Sequence, residues 1–121
     1  MIRFMIKLNT SPYNGDIWFT NSESLYLRKR SEIGVVDYAN LNNAGGMTTY
    51  FEDGWQQVVG LFNGKRETLV HELSHAVINL FNGVGMPINI DTSEAFCYLI
   101  DNLYTQCSDA MNMACQGEQD A

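Results

Sequence analysis

Basic side chains, cysteine and histidine are all scarce in this chain, and each scarcity closes off a class of function. Seven lysines and arginines against fourteen aspartates and glutamates leave a formal net charge of −7. That is the wrong sign for general nucleic-acid binding, which replaces phosphate counterions with basic surface. The one basic cluster, Arg28-Lys29-Arg30, reads as a solvated strand end or turn. No apolar run reaches the length of a membrane span. The stretch from Met1 to Leu8 has neither the apolar core nor the small-residue cleavage site of a signal peptide. Cysteine is limited to Cys97, Cys107 and Cys115, without the C-x-x-C spacing of a metal or redox motif. Cys97 and Cys107 fall on one predicted helix about 15 Å apart, too far to bridge, and free thiols suit a reducing compartment. The expectation is a soluble cytoplasmic protein with no nucleic-acid or membrane partner. At 121 residues and 45% hydrophobic content, the chain suffices for one core, a single domain over 1–121.

Only two histidines are present, and both stand in His71-Glu72-Leu73-Ser74-His75. On a helix, residues four apart share a face with Cβ atoms roughly 5–6 Å apart. Two imidazoles so placed can reach one metal ion at about 2.0–2.1 Å each. Glu72 lies about 100° further round, where its carboxylate can act as general base on a water that zinc makes acidic. Leu69, Val70, Leu73, Ala76, Val77, Leu80 and Phe81 recur at helical spacing and supply the apolar face of the same helix, beside the polar stripe His71, His75, Asn79. The pattern points to a zinc-dependent hydrolase acting on peptide bonds.

Taken in order, the chain predicts an α+β domain. Residues 2–8 read as a strand, and Pro12, Asn14 and Gly15 as a turn. Ile17-Trp18-Phe19-Thr20, Leu25-Tyr26-Leu27 and the stretch from Ile33 to Leu41 read as further strands. Asn42-Asn43-Ala44-Gly45-Gly46 is a turn leading into a hairpin arm, Met47 to Phe51, and Asp53-Gly54 is a second turn before a strand from Trp55 to Phe62. The region 1–62 is therefore expected to be a meander of antiparallel strands. The helix bearing the motif is expected over 65–82, stopped by Asn82-Gly83. A loop containing Pro87 follows, then a second helix over 92–107 with Ala95, Phe96, Leu99, Ile100 and Leu103 as its core face. Residues 108–121 read as a frayed end or loose tail.

A catalytic zinc takes three protein ligands and keeps a fourth position for water. With no third histidine, the remaining donor is an acidic residue or, less suitably, a cysteine. Glu94, in the first turn of the second helix, is the choice. It also fits a capping box with Asp91, and Asp91 and Asp101 are the fallback ligands. Tyr98 and Asp101 follow Glu94 on its helix. Tyr98 could donate to the oxyanion formed in hydrolysis or serve as a packing residue. Asp101 could orient a histidine or remain a solvated charge.

Leu69-Val-His-Glu-Leu-Ser-His-Ala76, followed by Ser93-Glu-Ala-Phe-Cys-Tyr-Leu99, resembles the zincin metallopeptidases, in particular the gluzincin arrangement. It is also similar to small single-domain HExxH proteins predicted in phage and prophage genomes, several of which carry a Glu-Ala-x-x-Tyr-Leu segment after the motif helix. The resemblance covers roughly residues 55–104. It implies a zincin-like minimal domain with one zinc ion held by His71, His75 and Glu94, Glu72 and Tyr98 as catalytic residues, and Asp101 behind a ligand. It further implies an edge strand beside the active helix that pairs with an extended peptide or protein substrate, with Trp55 to Phe62 as the candidate. If the chain is phage-encoded, the compartment is the host cytoplasm. The Asn-Glu and Ser-Asp pattern around the third ligand of larger gluzincins is missing. The competing expectation is a non-catalytic, zinc-stabilised phage interaction or regulatory protein that binds a host protein.

Overall fold

A computed structural model describes residues 2–36, 41, 43–51 and 55–120, with side chains to residue 117. The fold is α+β: a four-stranded sheet with helices on both faces. The strands are β1 (Met5–Leu8), β2 (Asp16–Thr20), β3 (Gly46–Phe51) and β4 (Gln56–Leu61), in the order β1-β2-β4-β3. β1 and β2 pair antiparallel, as do β4 and β3, but β2 and β4 run parallel. The expected antiparallel meander is thus corrected at its centre. A parallel pair needs a crossover, and part of this one is the helix α1 (Glu23–Glu32).

That helix occupies the stretch Leu25-Tyr26-Leu27 expected as a strand. Ser22 caps it, its hydroxyl accepting from the Leu25 amide at 3.3 Å, with Glu23 in the first turn and Lys29 and Arg30 in the last. Both charge placements suit the helix dipole. Arg28-Lys29-Arg30 therefore lies at a helix end rather than a strand end, and Lys29 sits 4.0 Å from the Trp18 ring centroid and 2.8 Å from Glu32. Ile33 caps α1 and Gly34 follows with φ +106°, so the expected strand from Ile33 does not start there. Its residues 37–40 lie outside the described set, as does the Asp53-Gly54 turn. β3 takes β4 as its hairpin partner instead.

The motif helix is α2 (Arg66–Gly83). It runs through Asn82-Gly83 and closes two residues later, at Gly85, whose φ of +74° lets the Met86 amide return to the Phe81 carbonyl. After a 3₁₀ turn (Ile90–Thr92) capped by Asn89, α3 runs from Ser93 to Asp120. The expected tail after Ser108 is helical because the apolar stripe continues: Leu99, Leu103, Cys107 and Ala114 are buried, and Met111 packs beside them.

α2 and α3 cover one face of the sheet and α1 the other. Ile17, Phe19, Val59 and Leu61 meet Leu69, Leu73, Val77 and Leu80 of α2 and Leu103 of α3, each such side chain contributing about 1.5–3 kcal/mol of burial. Tyr26 of α1, Val58 and Leu41 form the smaller core behind the sheet. All three cysteines are free. Among the described residues no helix is long and apolar enough to cross a membrane.

Candidate metal centre and active site

α2 turns its sheet-facing stripe, Leu69, Leu73, Ala76 and Leu80, into the core, which leaves His71 and His75 on an exposed face. Their Nε2 atoms stand 3.2 Å apart, with the rings at 80° and centroids 4.8 Å apart. Two nitrogens bound at about 2.0–2.1 Å to one tetrahedral ion would be roughly 3.3–3.4 Å apart. The pair therefore has the spacing of two ligands to one zinc, a distance at which, without metal, one Nε2 can also hydrogen-bond the other.

Glu72 points the other way round the helix, toward β3, and is buried. Thr48 of β3 holds it: the Thr48 hydroxyl lies 2.8 Å from Glu72 Oε1 and 3.0 Å from the Glu72 backbone carbonyl. Close approach of β3 to α2 depends on Gly46. A Cβ there would fall 3.0 Å from Glu72 Cγ, 2.9 Å from Thr68 Cγ2 and 2.8 Å from the Gly60 carbonyl oxygen. Further along α2, buried Gln57 of β4 donates to the Ala76 carbonyl at 2.9 Å and accepts from Asn79 at 3.2 Å. Asn79 of the predicted polar stripe is thus a tie between helix and sheet.

The strand at the sheet edge that contacts α2 at Glu72 is β3. β4, from within the expected Trp55 to Phe62 strand, is hydrogen-bonded on both sides, by β2 and β3. Its amides and carbonyls are committed to the sheet, so it cannot take an extended substrate. β3 was legible as a hairpin arm, but the sequence carries no sign that it, and not β4, forms the edge. Thr48 was missed for the same reason. Thr49, on the opposite strand face, bonds the hydroxyl of Tyr26, whose pKa burial pushes up to about 12. Burial likewise pushes the Cys107 thiol well above its ordinary value, so it has no thiolate character near neutrality.

Of the predicted residues, the structure brings the imidazoles of His71 and His75 together, while Glu72, on the same helix, turns its carboxylate to Thr48 of β3. Among the described residues no group of three or more His, Cys, Asp or Glu side chains is assembled to hold a metal. Glu94 is exposed in the first turn of α3. Tyr98 is 69% exposed and lines a cavity of about 250 Å³ with Ser11, Pro12, Tyr13 and Asn102, on the flank of α3 facing the β1–β2 loop. Asp101 lines a separate groove shared with Val70 of α2. No family model, curated protein or solved structure matches the chain.

Proposed function

We propose that this protein is a zinc-dependent peptidase that binds one zinc ion and hydrolyses peptide bonds. The observation that carries the reading is the 3.2 Å approach of His71 Nε2 to His75 Nε2, one residue from a buried carboxylate fixed against an edge strand. His71 and His75 would hold the zinc with a donor from α3, where Glu94 and Asp101 stand. A zinc ion held there would supply an acidified water and a polarised carbonyl. Glu72 takes the proton from the attacking water at its carboxylate and delivers it to the leaving amine nitrogen. Thr48 keeps Oε1 occupied and fixes the plane of the carboxylate, so that Oε2 is the basic atom. The outer edge of β3 supports an extended peptide by backbone pairing, next to Glu72.

Glu72→Gln tests this. The amide keeps the size of the side chain but cannot take a proton at neutral pH. Zinc content should stay near one per chain while cleavage of an unstructured protein substrate falls about 10²–10⁴-fold. Equal cleavage by both proteins would refute Glu72 as base. If neither protein cleaves while both bind zinc, the chain is a zinc-stabilised binding module, not a peptidase.

A further inference from the structure

β3 alternates between the two faces of the sheet. Met47 packs against the Tyr26 core, Thr49 bonds the Tyr26 hydroxyl, and Phe51 lies against Gly34, so these three face α1. Gly46, Thr48 and Tyr50 therefore face α2. Three contacts set their level along that helix, and they agree. Gly46 stands at Thr68, and Thr48 bonds Glu72. Tyr50 stands opposite Gln57, which bonds the Ala76 carbonyl and Asn79. Two strand residues advance about 6.8 Å, or roughly four and a half helix residues, which leads from Glu72 to the level of Ala76. His71 and His75 lie about 100° and 60° round from Glu72, on the side away from the core residue Leu73. They overlook the free edge of β3. Tyr50 is 55% exposed at that edge, and its hydroxyl has no hydrogen bond among the described residues.

The hydrogen-bond phase of the hairpin leaves the same residues open. The Phe62 amide donates to the Gly45 carbonyl at 2.7 Å, which makes Gly45 and Phe62 a hydrogen-bonded pair. By alternation Met47, Thr49 and Phe51 turn their backbone groups to β4, and the amides and carbonyls of Thr48 and Tyr50 point outward. An antiparallel peptide added at this edge pairs with Thr48 and Tyr50 through residues two apart. The side chain opposite Tyr50 then lies on the α2 face beside its ring. The peptide residue between the two has its carbonyl free of β3 and level with His75. From this phase and register we infer that Tyr50 selects the substrate: it is the cross-strand partner of the second residue on the amino-terminal side of the cut bond, and it favours an aromatic or β-branched side chain there. The inference rests on the edge-strand peptidase reading above.

The test uses the zinc-loaded full chain on a library of unstructured peptides, with cut sites read by mass spectrometry. Phe, Tyr, Trp, Val and Ile should be enriched at that position. Between matched peptides, an aromatic residue there should lower KM about twofold to fivefold relative to Ala, the range of a cross-strand pair. The same pair forms in the ground and transition states, so kcat should not change. Tyr50→Phe should keep the preference. Tyr50→Lys should exchange it for Asp and Glu, since opposite charges pair across strands, a switch that a merely structural role would not produce. Fluorescence anisotropy of the matched peptides, labelled and bound to the metal-free protein, should give the same order of affinity. An unaltered preference in Tyr50→Lys, or a loss in Tyr50→Phe that falls on kcat, overturns the inference. Ordered peptide binding without cleavage by wild type would retire the peptidase reading and keep the Tyr50 contact. Cleavage indifferent to Tyr50 would do the reverse.

Discussion

One hydroxyl on the edge strand grips both ends of the residue proposed as the base: Thr48 Oγ1 lies 2.8 Å from Glu72 Oε1 and 3.0 Å from the Glu72 carbonyl oxygen. The contact joins β3 to α2 at the point where a strand-bound peptide would meet the carboxylate. A helix and a strand far apart in sequence are thereby fixed in one register, and the side chain between them loses its freedom to rotate.

Thr48→Val tests that register, because it keeps the branched shape and removes the donor. Leaving Glu72 without it should cost about 1–3 kcal/mol of stability, read from urea denaturation. With substrate, kcat should fall by roughly 10-fold, a fraction of what loss of the base itself would cost, while zinc content and KM hold. An unchanged kcat would mean that Glu72 is oriented by something other than the strand.

Gly46 is required for the same contact by space alone. Its missing Cβ would come within 2.8 Å of the Gly60 carbonyl oxygen, which is backbone and cannot step aside, and within 3.0 Å of Glu72 Cγ. Gly46→Ala should therefore destabilise the protein by about 1–3 kcal/mol. Gly64→Ala would crowd nothing but would strain a backbone at φ +70°, so its loss should come without any change in metal affinity or in kcat. A silent Gly46→Ala would show that β3 can move away from α2.

How much of this was legible in the sequence follows from whether the signal was local. α2 was readable to within a residue at its start, since seven apolar positions at helical period and two histidines four apart all lie on one element. The free cysteines and the α+β class were readable too. α1 was not, because Leu25-Tyr26-Leu27 imitates a buried strand and the Ser22 cap with Glu23 behind it was the only helical sign. Strand partners are a non-local property: nothing in Met47 to Phe51 says that β4, not an earlier strand, will pair with it. Thr48 could not be found beside Glu72 without that pairing.

The length of α3 gives a direct check on the region whose polar composition concealed it. Ala114 is 6% exposed while Met113, its neighbour, is 70% exposed. Ala114→Asp places a carboxylate in the core and should cost roughly 2–4 kcal/mol. Met113→Asp should stay within about 0.5 kcal/mol of wild type. Were residues 108–121 a loose tail, thermal melts of both variants would overlay that of the parent.

Tyr26 sets an alkaline limit on stability. It is fully buried behind β3, its hydroxyl bonded to Thr49, and burial raises its pKa from 10.0 to about 12. Below pH 10 the phenol is protonated in both folded and unfolded chains and contributes no pH dependence. Between pH 10 and about 12 the unfolded chain releases the proton first, so the folded state binds more protons and stability falls as pH rises. The full difference corresponds to roughly 2–3 kcal/mol, lost as pH passes through the folded value. Chemical denaturation from pH 8 to 12 should show this decline in the parent. Tyr26→Phe should start lower, having given up the bond to Thr49, and then lack the Tyr26 share of the slope. Equal slopes in the two proteins would place the alkaline titration on other groups and disconnect Tyr26 from it.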